Sequence, residues 1–129
     1  MEKNKLVEEW IAISEYDLKT AAAMLKACRY LYVLFTCQQA IEKILKAIYL
    51  RGRKEMPPYT HNLLYLVDLL KIDMPEEDLA LLSRLNQFYL ESRYPGERMK
   101  LASAVDKKIA AKALRKAQGV WKCLRQKLQ

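Results

Sequence analysis

Apolar residues recur at steps of three and four along most of the chain, the spacing of one face of a helix. The first such segment is about Asn4–Ala27. There Leu6, Trp10, Ile13, Asp17, Ala21 and Met24 share a stripe that Val7, Leu18 and Leu25 widen. Asn4 is placed to cap its start. The second segment, about Tyr30–Arg51, carries Val33, Leu34, Cys37, Ile41, Ile44, Leu45 and Ile48. Apolar positions nearly encircle it, which predicts the most central helix. Gly52 is placed to end it, and Pro57-Pro58 predicts a loop over Arg53–Tyr59.

Thr60 reads as the N-cap of a short third helix, about His61–Leu70, with Leu63, Leu66, Val67 and Leu70 inward. Pro75 followed by Glu76, Glu77 and Asp78 marks the next start, with acids at the positive end of the helix dipole. That fourth helix runs to about Ser92 and is predicted to bury Leu79, Leu82, Leu85, Phe88 and Tyr89. Tyr94-Pro95-Gly96 stops it and a loop follows to about Leu101. Ser103 then caps a last helix, about Ala104–Lys127, with Ile109, Ala113, Leu114, Ala117, Trp121, Leu124 and Leu128 inward. Gly119 is read as permitting close packing against a neighbour. The pattern predicts an all-α fold, an antiparallel up-and-down four-helix bundle with an additional short helix.

Composition agrees. With 52% hydrophobic residues, three glycines and four prolines in 129 residues, one helical domain is expected. No apolar run is long enough to span a bilayer, and the charged start MEKNKLVEEW lacks a signal-peptide core. A cytoplasmic protein with no membrane contact is therefore expected. Cys28, Cys37 and Cys123 form no CxxC and read as packed free thiols. Charge changes the picture more. Residues 1–92 carry 12 Lys and Arg against 13 Asp and Glu, whereas residues 93–129 carry 11 against 2. The whole excess sits in the last segment, where Lys107, Lys108, Lys112, Arg115 and Lys116 form a candidate nucleic-acid surface. Such asymmetry points to an acidic partner or nucleic acid, or to a solvated helix face.

The candidate chemistry is sparse. Gln38, Glu42 and Lys46 share a face of the central helix, with Gln39 and Lys43 beside it. Ionisable groups near a core must pair or face a cleft or partner, and a Glu42–Lys46 pair inside the helix satisfies the first option. His61, the only histidine, is placed to bond backbone at a helix start. One histidine and three scattered cysteines supply no metal shell, and no Gly-rich phosphate loop or nucleophile motif occurs, so neither metal nor cofactor is expected. Arg93-Tyr94-Pro95 sets a planar cationic fork beside a tyrosine, a pairing suited to phosphate or nucleobase. Glu42, Lys43, Lys46, His61, Arg93 and Tyr94 are thus the candidate ligand-binding residues.

Together these pieces resemble the HEPN family, helical domains named for higher eukaryotes and prokaryotes nucleotide-binding. The resemblance runs from Trp10 through Asp17-Leu18 and Ala21. It continues through Phe35-Thr-Cys-Gln38-Gln39-Ala40-Ile-Glu42-Lys43-Ile-Leu45-Lys46-Ala47 and Thr60-His61-Asn62-Leu63 to Arg93-Tyr94-Pro95. An aspartate is more usual where Asn62 stands. The resemblance implies a bundle that commonly dimerises and often acts with a small nucleotidyltransferase in toxin–antitoxin style pairs. Many members are metal-independent ribonucleases. In these a histidine shortly after the arginine moves the 2′-hydroxyl proton, and the arginine stabilises the phosphorane charge. Here Arg98, Met99 and Lys100 occupy the positions of that histidine, and the pair Arg53 and His61 lies in a different loop. The sequence-based expectation is therefore a non-catalytic nucleotide- or RNA-binding module that is a homodimer with a nucleotidyltransferase partner. The alternatives are a divergent metal-independent RNA endonuclease and a structural dimerisation subunit.

Overall fold

The computed structural model describes residues 2–53 and 55–129, so Lys54 of the expected loop, like Met1, lies outside the described residues. Among the described residues six helices follow one another: α1 (Glu2–Lys26), α2 (Tyr30–Gly52), α3 (Leu63–Leu69), α4 (Glu76–Glu91), α5 (Pro95–Ala104) and α6 (Lys107–Gln126). The all-α expectation holds, with no strand among the described residues. As the encircling apolar pattern requires, α2 is central. It packs against each of the other five helices, most extensively against α1 and then α6. Its Val33, Leu34, Cys37, Ala40, Ile41, Ile44, Leu45 and Ala47 are fully buried.

Several boundaries move, each for a local reason. Asn4 lies inside α1, which is already helical at Glu2. The inward face of α1 is turned by about one residue from the expected stripe. Val7, Ile11, Ser14 and Ala21 are buried, while Ile13 is 47% exposed. Ser14 escapes the apolar pattern because its hydroxyl is satisfied twice, donating to Ile11 O (2.7 Å) and accepting from Trp121 Nε1 (3.0 Å). The α3 cap is Asn62, whose side chain accepts from Tyr65 N (3.1 Å), and Thr60 Oγ1 only steadies the turn by accepting from Asn62 N. Asp106, not Ser103, caps α6, its Oδ1 accepting from Ile109 N at 2.8 Å. The expected loop after Tyr94 is helix α5. Pro95 stops α4 and also starts α5, because its fixed φ suits a first helical position. No residue of α5 is buried, which is why hydrophobic periodicity does not reveal it.

Three cysteines read as packed, yet only Cys37 is. Burial pushes its thiol up to about 12, while Cys28 and Cys123 are exposed. Cys28 sits at φ 62 just past α1, and Lys71 at φ 55 just past α3. At each site the next amide reaches back to close the helix end, Arg29 N to Met24 O and Ile72 N to Val67 O. Tyr49 near the end of α2 is buried, with its ring under the Arg53 guanidinium at 4.5 Å.

Gly119 also departs from expectation. It is exposed, and a Cβ there meets nothing within 4 Å. Gly119→Ala is therefore expected to stabilise the domain by about 0.5–1 kcal/mol through helix propensity. Urea unfolding of the two proteins checks this, and a loss of stability would show that α6 needs the glycine.

Candidate functional site

The polar face of α2 closes on itself around Glu42. This side chain is only 1% exposed, and both its oxygens are occupied. Oε1 accepts from Gln38 Nε2 (3.2 Å) and faces His61 Nδ1 (2.9 Å). Oε2 accepts from Lys43 Nζ (3.1 Å) and Lys46 Nζ (3.0 Å). Burial on its own raises the carboxyl. The Lys43 charge, with the contacts from His61 and Lys46, outweighs it and holds Glu42 below its ordinary value of 4.5. The helical steps of four bring Gln38, Glu42 and Lys46 together; Lys43 reaches round from the adjacent position. Lys46 lies 5.6 Å from the Trp10 ring centre, so α1 covers the cation from the other side.

His61 comes from outside α2. Gln38 Nε2 donates to its carbonyl at 2.7 Å, which fixes the approach to α3. From α4, Asn86 accepts from Leu63 N and donates to Asn62 Oδ1, both at 2.9 Å. The ring therefore does not bond backbone, as its place at a helix start suggested; it bonds a buried carboxylate. Nδ1 is turned to Glu42 and the side chain is 41% exposed, so Nε2 is the ring nitrogen left without a protein partner among the described residues. Gln38 Oε1 is the buried side-chain polar atom without a partner among the described residues.

Tyr89 joins this cluster to Arg93. Its ring stacks on Phe35 (4.8 Å, 27°) and lies 5.2 Å from the His61 ring. The Arg93 guanidinium carbon sits 5.9 Å from the same ring centre. Burial raises the Tyr89 hydroxyl, Glu42 adds to the shift and Arg93 opposes it, so both charges are felt at one phenol. Arg98, at a position where the family's histidine falls, instead donates from Nε to Ser92 O (2.6 Å) and from Nη1 to Tyr32 Oη (3.4 Å). It pins α5 to the end of α4.

The structure thus gathers Glu42, Lys43, Lys46 and His61, and links Arg93 to them only through the Tyr89 ring. Tyr94 is exposed at the start of α5. The basic residues of the last segment divide. Lys108, Lys112 and Lys116 line a cavity of about 340 Å³ between α4 and α6, while Lys107 and Arg115 are exposed outside it. Sequence reasoning misses Tyr89 as a site residue, although it stands four before Arg93, and it misses Asn86, which no pattern marks.

Asp17, a stripe position in the sequence pattern, belongs to the same neighbourhood. Burial raises its carboxyl above 3.8, the Lys43 charge lowers it, and Glu42 raises it again. A raised carboxyl weakens the fold where the group must ionise, so this cost is absent below pH 3.8 and grows as pH rises through the folded value. Asp17→Asn is therefore expected to stabilise at pH 7 and to be neutral near pH 3. Urea titrations at both pH values check it, and a destabilised variant at pH 7 would mean that the Lys43 attraction dominates.

Among the described residues no three His, Cys, Asp or Glu side chains converge as metal ligands, and no helix is long and apolar enough to cross a membrane. No curated protein matches the sequence significantly. Among solved structures, the chain is similar to TT1696 from Thermus thermophilus at 25% identity and TM-score 0.79. That match covers 94% of this chain and 97% of the other. It shares the fold of ST0689, an archaeal HEPN homologue, at 22% identity and TM-score 0.76, covering 95% and 98%. A profile of the HEPN domain matches residues 7–127, nearly the whole chain, and the protein belongs to the HEPN domain family.

Proposed function

We propose that this chain is a non-catalytic nucleotide- or RNA-binding module, acting as a dimer with a nucleotidyltransferase partner. Its architecture in that reading is an antiparallel four-helix bundle of α1, α2, α4 and α6, with α3 and α5 as additions. The observation that carries the reading is Arg93, whose guanidinium lies 5.9 Å from the Tyr89 ring, the same ring that His61 packs against. A guanidinium pre-set on an aromatic ring suits phosphate held next to a base. Lys43 is held on Glu42, the carboxylate that His61 also meets, and the exposed Tyr94 follows Arg93 in the chain. Lys107, Lys108, Lys112, Arg115 and Lys116 supply a field that draws anions in. Titration of a nucleoside triphosphate and of polyuridine, at low and moderate salt, tests this. Arg93→Lys keeps the charge but loses the fork, so it should weaken the triphosphate by about tenfold and long RNA far less. If it is silent for both ligands, the site is not at Arg93.

The second reading is a metal-independent RNA endonuclease, favoured by the Glu42–His61 contact. A buried carboxylate on Nδ1 orients a histidine as a general base, and Arg93 lies across Tyr89 to receive phosphorane charge. In that case RNA is cut in the presence of chelator, and His61→Asn lowers the rate by about a hundredfold or more. Uncut RNA with the wild-type protein rules it out.

A further inference from the structure

We propose that the groove between α4 and α6 is a docking site for an acidic amphipathic helix of another protein. The groove is separate from the Glu42–Arg93 cluster. It is lined by Glu77, Ala80, Leu81 and Arg84 of α4 and by Lys108, Ile109, Lys112, Ala113 and Lys116 of α6. Leu81, Ile109, Ala80 and Ala113 form an apolar floor, and four cations stand around it with Glu77 as the lone acid.

None of Arg84, Lys108, Lys112 and Lys116 is ion-paired among the described residues. Lys108, Lys112 and Lys116 repeat every fourth residue, so they stand in a row about 12 Å long. A helix laid alongside α6 presents carboxylates at the same interval, and its own apolar stripe meets the floor. One further observation favours such a segment over nucleic acid. No aromatic ring lines the groove, so it offers no stacking platform for bases. Lys108 also lies in the first turn of α6, at the positive end of the helix dipole, where a cation is disfavoured on its own. A bound anion relieves that repulsion. Charge complementarity therefore selects the partner's sign, and the floor selects its amphipathic form.

The experiment uses the whole chain and a labelled helical peptide of about five turns. The peptide carries leucine at steps of three and four, flanked by glutamate. A scrambled isomer of identical charge and a polyuridine of about a dozen nucleotides are titrated in parallel. Arg84→Glu and Lys112→Glu, both at exposed positions, should each weaken the amphipathic peptide at least about tenfold, and scrambling should do the same. Ala80→Arg adds a favourable charge but fills the exposed part of the floor, so it should also weaken the peptide. Circular dichroism confirms that each variant folds. Four results overturn the proposal: equal binding of the scrambled peptide, unchanged or tighter binding by Ala80→Arg, no peptide binding at low salt, or tighter binding of polyuridine that is lost with the same variants. The last result makes the groove a nucleic-acid surface.

Discussion

Glu42→Gln is expected to destabilise the domain by about 3 kcal/mol, although the two side chains have nearly the same shape. The carboxylate is the shared counterion of Lys43 and Lys46. The Lys46 side chain is only 8% exposed. It cannot recover its hydration without leaving the Trp10 ring, and an unpaired buried charge costs several kcal/mol. Lys43 is more open and turns into water at less cost. The amide also presents an NH₂ group to donors that need acceptors. The pH dependence carries a definite sign. Glu42 is held below 4.5 in the fold, so its contribution is full above that value and is lost as pH falls through the lower folded value. The variant should therefore show a flatter acid limb than the wild type. Replacing both partners, Glu42→Leu with Lys46→Met, should return much of the loss, because removing a buried pair together is far cheaper than orphaning one half. Urea unfolding across pH 3–7 measures both effects, and a loss under about 1 kcal/mol for Glu42→Gln would mean the cluster behaves as a surface pair.

Tyr89→Ala should cost about 3 kcal/mol, while Tyr89→Phe should cost less than about 1 kcal/mol. The ring is buried between Phe35 and His61, and the side-chain bonds around it go to Glu42 and to the Tyr89 carbonyl rather than to its hydroxyl. Truncation removes the platform on which both His61 and Arg93 rest. If the Arg93 reading is right, Tyr89→Ala should lower triphosphate affinity about as much as Arg93→Ala, and Tyr89→Phe should retain it. Equal affinity for all three proteins would detach ligand binding from this ring.

Legibility along the chain follows burial. The interior helix α2 is recognisable almost to the residue because its apolar positions leave few alternatives. The Gln38–Glu42–Lys46 face is recognisable because steps of four must share a side. Other features need the third dimension. His61 meets Glu42 across 19 positions of sequence, and nothing local marks the meeting. Ser14 is buried by hydrogen bonds rather than by hydrophobicity, so it rotates the face of α1 invisibly. Asn86 acts through the backbone of Leu63, a contact that leaves no periodic trace. The basic excess of the last segment is plain from composition. Its division into groove-lining and outward residues depends on the angle at which α4 and α6 meet.

The absence of any buried residue in α5 also bears on how unevenly the molecule breathes. A helix so thinly anchored to the core opens at a small fraction of the global unfolding free energy, so its amides should exchange with deuterium long before those of α2. Its side-chain hydrogen bonds to Ser92 and Tyr32 both come from Arg98. Each opening converts a rigid ten-residue rod into slack chain between Arg93 and the start of α6. Both ends stay fixed on the closed interior, through Tyr89 on one side and the buried Val105 on the other, so only the segment between them loosens and Arg98 is released into solvent.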